Sequence, residues 1–184
     1  MNRRQTLALG AVAALAAAAG TGVGVWRQPG PTQGAEAVGQ LPPDFWQLRF
    51  TKPDGGELAM ADFRGQPLVI NFWATWCPPC VRELPALEAF AREQRGTGGV
   101  RVLGLAVDAA APVKAFIQRE GIQLPVAIAG LEGSELARQL GNAQGGLPFT
   151  VLLAADGRLA QSRLGETSRV ELSRWANALG TLQK

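Results

Sequence analysis

The chain has 184 residues, 47 % of them apolar, which gives room for one domain with a true core and an extension. It has no histidine and only two cysteines, which excludes Ser–His and Cys–His hydrolase chemistry, HExxH zinc sites, histidine haem ligation and any four-ligand Cys/His zinc site within one chain. Arg3, Arg4, Arg27 and Glu36 precede residue 41, so residues 41–184 hold 15 basic and 14 acidic groups. Such a near-neutral domain has no electrostatic reason to seek nucleic acid.

The chain starts with a short basic stretch through Arg3 and Arg4, then an uncharged run of 22 residues over 5–26, rich in Ala, Val, Leu and Gly. Residues 1–26 are predicted to be a secretory signal peptide or an uncleaved membrane anchor. Ala rather than Leu dominates the run, which weakens insertion and favours export. Ala35-Glu36-Ala37 offers a small-x-small cleavage pattern, though far past the apolar run. Residues 27–40, with Pro29, Gly30, Pro31 and Gly34, read as a flexible linker. The folded domain is then expected over 41–184. A periplasmic or other extracytoplasmic location follows, with anchoring to the inner membrane through residues 5–26 if the leader is retained.

Along the domain, residues 45–50 alternate loosely and read as an edge strand. Residues 53–56 (Pro-Asp-Gly-Gly) form a turn, and 57–60 a short return strand. Residues 68–74 (LVINFWA) are a nearly continuous apolar run, as expected of a central strand buried on both faces. Residues 78–95 carry Leu84, Leu87, Phe90 and Ala91 at helical spacing, and Gly96–Gly99 ends the helix. A second buried strand is expected over 100–107, a helix over 111–120 stopped by Gly121, and a short strand over 124–129. A helix follows over 134–140, capped by Ser134. Strands 149–154 and 159–164 flank an Ala-Asp-Gly-Arg hairpin turn, and a closing helix spans 167–182, capped by Thr167 or Ser168. Strands alternating with helices predict an α/β three-layer fold, a mixed central sheet with helices on both faces.

Trp76-Cys77-Pro78-Pro79-Cys80 follows strand 68–74 and opens helix 78–95. A helix N-terminus presents unpaired N–H groups and about half a positive charge. A thiolate there is stabilised, so its pKa is expected below the free value of about 8.5. Cys77, at the mouth of the turn, is expected to be the exposed attacking sulfur. Cys80, one helical turn inward, can reach back and resolve a mixed disulfide. Pro78 and Pro79 remove donors that the first turn does not use internally, and they stiffen the loop. A purely structural disulfide over so short a ring would constrain the unfolded chain little. C-type haem attachment needs His directly after CxxC, and Val81 stands there.

The stretch Val69-Ile-Asn-Phe-Trp-Ala-Thr-Trp-Cys-Pro-Pro-Cys resembles the active-site segment of thioredoxin-fold proteins, most nearly the exported TlpA/ResA-like branch, and the resemblance covers about 41–184. Gly146-Leu147-Pro148-Phe149-Thr150 resembles that family's cis-proline loop. The resemblance implies that Leu147 and Pro148 face the cysteines and bind the substrate backbone, and that Trp76 shields Cys77. Sixty-seven residues separate Cys80 from Pro148. That surplus over a plain thioredoxin implies an inserted helix–strand segment near 111–129. Thioredoxins carry a buried Asp where this chain has Asn71, which cannot accept a proton. Glu83, in the spacing C-x-x-C-x-x-E, matches a Glu of the TlpA/ResA-like branch. If partly buried it serves as proton acceptor for the second thiol; if solvated it only complements the helix N-terminal half.

The resemblance implies a thiol–disulfide oxidoreductase that reduces protein disulfides, with cytochrome c maturation among the roles of the branch. A membrane electron donor would re-reduce it. No cofactor beyond the redox-active Cys77–Cys80 disulfide and no metal are expected. Peroxiredoxin-like peroxide reduction is disfavoured by Ala74, where such enzymes place Thr. A Cu(I)-carrying metallochaperone is the alternative from the binding class; two soft thiolates can grip Cu(I), but the His usual in copper-inserting relatives is absent.

Overall fold

The computed structural model describes residues 41–181. The leader over 1–26 and the linker over 27–40 lie outside the described residues. Among the described residues no helix is long and apolar enough to cross a membrane.

The elements are β1 (Arg49–Thr51), β2 (Glu57–Ala59), β3 (Leu68–Trp73), α1 (Pro78–Thr97), β4 (Arg101–Ala106), α2 (Ala110–Glu120), β5 (Val126–Ile128), α3 (Gly130–Gln139), β6 (Phe149–Leu153), β7 (Leu159–Leu164) and α4 (Arg169–Thr181), with 3₁₀ turns at Phe45–Gln47 and Met60–Phe63. The strands form one mixed sheet in the order β2-β1-β5-β4-β3-β6-β7. β3, β4 and β5 run parallel, joined by the crossovers through α1 and α2. β6 and β7 add antiparallel strands on one side, β1 and β2 on the other. The expected α/β fold with helices on both faces is what the chain adopts, and α2 with β5 forms the inserted segment.

Every residue of β3 is buried because both sheet faces are covered. Val69 and Trp73 join the core under α1, α2 and α4, with Leu84, Phe90, Phe116 and Trp175. Leu68, Ile70 and Phe72 point the other way, toward Leu136 and Leu140 and toward Phe45 and Met60 of the 3₁₀ turns. Asn71 falls by this alternation on the α1 face. It is the one polar residue of the strand.

Two expectations need correction, and one open choice is resolved. Residues 45–50 are not one strand: a 3₁₀ turn occupies Phe45–Gln47, and β1 starts at Arg49. Phe45 and Phe50 enter the same core, whereas five residues of continuous strand would send them to opposite faces. The turn supplies the rotation. The helix expected at 134–140 begins at Gly130, and Ser134 caps nothing. Gly133 lies inside this helix because a Cβ there would stand 2.6 Å from the Ala129 Cβ and 3.3 Å from Val107. It serves close packing rather than ending the helix. In α4 the cap is Ser168, whose Oγ accepts the Glu171 N–H at 3.2 Å, and Thr167 has another partner.

Candidate active site

β3 carries the chain to the rim of the sheet, where residues 74–76 turn it into α1. The Cys77 N–H donates to the Ala74 carbonyl at 3.3 Å. Thr75 donates its N–H and its hydroxyl to Asp108 Oδ2, just past the end of β4. Cys77 is the N-cap of α1: its backbone is extended, its carbonyl accepts the Val81 N–H, and its Sγ accepts the Cys80 N–H at 3.3 Å. Pro78 and Pro79 fill the first two helical positions, where an N–H would have no intrahelical acceptor. The two sulfurs are joined in a disulfide, with the Cα atoms 5.3 Å apart. The pair thus sits where backbone amides favour negative charge on sulfur.

Access differs from the expectation of an exposed Cys77. In this disulfide form Cys77 keeps 5 % of its surface and Cys80 none. That residual surface opens on a groove of about 850 Å³ lined by Trp76, Cys77, Pro79, Leu131 and Leu147, among others. Trp76 does not close over the sulfur: it is 65 % exposed and forms a wall. Leu131, on the first turn of α3, also lines the groove and is 90 % exposed. Asp108 is the one charged side chain among the lining residues, and both its oxygens already accept hydrogen bonds, from Thr75 and Ala109.

The loop before β6 also lines the groove, through Gly145, Gly146 and Leu147. Asn142 Nδ2 donates to the Gly146 carbonyl at 2.8 Å, the Leu147–Pro148 bond is cis, and the Pro148 carbonyl accepts the Gly165 N–H at 2.9 Å. Phe149 pairs with Phe72 of β3, which sets this loop beside the turn that carries Cys77. Leu147 lines the groove. Pro148 is buried and does not.

Glu83 is not a solvated helix residue. It is 2 % exposed, on the α1 face toward the sheet. Its Oε1 accepts from Asn71 Nδ2 at 2.6 Å, and its Oε2 accepts from the Thr167 N–H at 2.7 Å and the Thr167 hydroxyl at 3.1 Å. Asn71 Nδ2 also donates to Thr150 Oγ1 at 2.9 Å. Burial pushes the Glu83 carboxyl above its ordinary range; the Thr167 N–H, Asn71 and the Thr167 hydroxyl pull it back, and the nearby Glu166 charge adds a further upward push. Trp73 is core, packed on Phe116 with ring centroids 5.4 Å apart.

Of the residues singled out in the sequence, Cys77 and Leu147 line one groove, while Cys80, Glu83 and Pro148 are buried. Sequence reasoning missed Thr150, Thr167, Asp108 and Asn142. Thr167 had a signal, as a helix-capping residue type, but its acceptor proved to be a carboxylate 84 positions away.

The fold and the dithiol pair define a thioredoxin-like thiol–disulfide oxidoreductase. The Redoxin family model matches residues 37–179. The chain is 30 % identical over 179 residues to the thiol-disulfide oxidoreductase ResA of Geobacillus kaustophilus, covering 95 % of this chain and 96 % of that one. It is 30 % identical over 139 residues to ResA of Bacillus thuringiensis subsp. konkukian, covering 75 % and 76 %. A thiol:disulfide interchange protein of the thioredoxin family from Chlorobium tepidum superimposes with a TM-score of 0.64 at 25 % identity, covering 72 % of this chain and 92 % of that one. The chain belongs to the Redoxin family.

Proposed function

We propose that this protein is an extracytoplasmic reductant of protein disulfides. The observation that carries the reading is the Cys77–Cys80 pair at the start of α1, with Cys77 Sγ accepting an amide of the first turn. In the reduced protein Cys77 attacks one sulfur of a substrate disulfide. A mixed disulfide forms and one substrate thiolate leaves. Cys80 then attacks Cys77 Sγ, the second substrate thiol is released, and the two electrons of the dithiol have passed to the substrate. Glu83, buried one turn beyond Cys80, takes the Cys80 proton, a role that its raised proton affinity supports.

The substrate lies in the groove that Trp76 and Leu147 line. The groove's lining, apolar for the most part and with Asp108 its one charged side chain, suits an apolar polypeptide segment around the target disulfide. Residues 1–26 direct the chain out of the cytoplasm or tether it to the membrane. The oxidised form is re-reduced by a membrane electron donor, and a disulfide between apocytochrome c cysteines is one substrate class, in keeping with the resemblance to the ResA relatives. No cofactor beyond the cysteine pair takes part.

The test is trapping with Cys80→Ser in the full chain. Mixed disulfides accumulate on Cys77 and identify substrates and donor. Absence of adducts, or equal trapping by Cys77→Ser, contradicts the assigned roles.

A further inference from the structure

Asn71 lies at the centre of β3, 1 % exposed, opposite Thr150 of β6 in the strand register. Both hydrogens of its Nδ2 are engaged, one with Glu83 Oε1 and one with Thr150 Oγ1. Its Oδ1 is buried and has no partner among the described residues. A buried amide oxygen left bare is uncommon and costs stability.

The arrangement fits Glu83 as a carboxylate and conflicts with Glu83 as an acid. Oε2 faces the Thr167 backbone N–H, a donor that cannot be reversed. Oε2 already accepts two donors and Oε1 one, so the acid proton is placed on Oε1, where it meets the Asn71 Nδ2 donor at 2.6 Å; on Oε2 it would need the Thr167 hydroxyl to turn and accept. Half a turn of the Asn71 amide removes the conflict, since it brings the bare Oδ1 to the acid proton. The Thr150 hydroxyl, both donor and acceptor, follows by donating to Oδ1 instead of accepting from Nδ2. No strand or helix has to move.

We propose that Asn71 is a positioning residue for the Glu83 carboxyl whose side-chain amide reverses when that carboxyl takes up a proton: Nδ2 donates to the carboxylate, and Oδ1 accepts from the acid. This rests on the reading of Glu83 as proton acceptor and extends it. A buried acid that alternates between two charge states needs a partner able to bond both, and an amide with one end in reserve provides it. Of the elements packed on Glu83, β3 and β6 present Asn71 and Thr150, neither ionisable. The segment before α4 presents Thr167 and Glu166, the latter paired with Arg82 of α1. Cys80 precedes Glu83 by one turn.

The experiment uses the oxidised full-length chain, whose disulfide leaves no titrating thiol. Asparagine side chains carry ¹⁵N and glutamate carboxyls ¹³C, and both are followed through a pH titration. The Asn71 proton bonded to Oε1 is expected downfield while Glu83 is ionised and should lose that shift with the Glu83 carboxyl midpoint. In Glu83→Gln the Asn71 signals become independent of pH. Asn71→Ala moves the Glu83 midpoint upward, because the charged form loses the stronger bond. Asn71 signals that stay fixed through the Glu83 midpoint overturn the proposal, as does an unmoved midpoint in Asn71→Ala. Should Asn71→Ala not fold, the titration of the unmodified chain decides alone. Failure of the wider reading is separate: Glu83→Gln would reduce protein disulfides like the parent at every pH, whatever Asn71 does.

Discussion

Thr75, two residues before Cys77, donates both its N–H and its hydroxyl to one oxygen of Asp108, at 2.9 and 2.6 Å. The other Asp108 oxygen accepts the Ala109 N–H at 2.7 Å. The end of β4 thereby holds the turn in which β3 presents the cysteine pair. Hydrogen bonds to a charged group contribute about 1.5–3 kcal/mol each when removed, less where water can replace the partner. Asp108 is half-buried. Asp108→Ala is expected to lower stability by about 1–3 kcal/mol in urea denaturation and to reduce kcat/KM for disulfide reduction. Unchanged values for both would remove Asp108 from the positioning of Cys77.

The raised Glu83 carboxyl has a defined consequence for stability. Its folded-state proton affinity exceeds that of the unfolded chain, whose ordinary value is 4.5. Between the two values the folded state holds more protons, so stability falls as pH rises. The contribution of Glu83 is therefore most favourable below 4.5 and is lost as pH climbs through the raised folded value. Glu83→Gln removes this slope. The stability of the parent relative to Glu83→Gln should decline from pH 4 upward; a difference that grows with pH has the wrong sign for this account.

Gly104 of β4 lies beside Asn71 in the parallel register and faces Trp73. A Cβ there would come within 3.0 Å of Trp73 Nε1, 3.3 Å of Leu124 and 3.4 Å of Val126. Gly104→Ala should cost about 1–3 kcal/mol through overpacking. Thermal unfolding that shows no loss would mean that Trp73 and Leu124 yield freely.

Trp76 and Leu131 flank the groove with their side chains largely in water. Leu131→Ser should change stability by no more than about 0.5 kcal/mol, as exposed substitutions usually do. If the groove binds an apolar segment of the substrate, the same change raises KM for a protein disulfide while leaving kcat near the parent value. Steady-state kinetics with equal KM for the two chains would place substrate elsewhere.

The sequence made β3, α1 and the cysteine pair legible because their signals are local: an unbroken apolar run, then prolines in the first turn, then leucines at helical spacing. Glu83 and the Leu147–Pro148 loop were reached through resemblance to a family. The partners of Glu83 were not legible. Thr150 and Thr167 lie 79 positions from Asn71 and 84 from Glu83, and only strand register and helix docking bring them together. Whether Glu83 was solvated or buried turned on that packing. Asp108 was hidden for the same reason, 33 positions from Thr75. Glycines 130 and 133 concealed the first turn of α3, since close packing and chain-breaking look alike in one sequence.

The central claim is that backbone amides at the start of α1 make the sulfur of Cys77 the reactive one. Alkylation measures it directly, because iodoacetamide reacts with the thiolate and not the thiol. In the reduced full-length chain at pH 7, peptide mass spectrometry should show Cys77 modified at least about tenfold faster than Cys80. Equal, slow modification of both sulfurs, or faster modification of Cys80, would contradict the account.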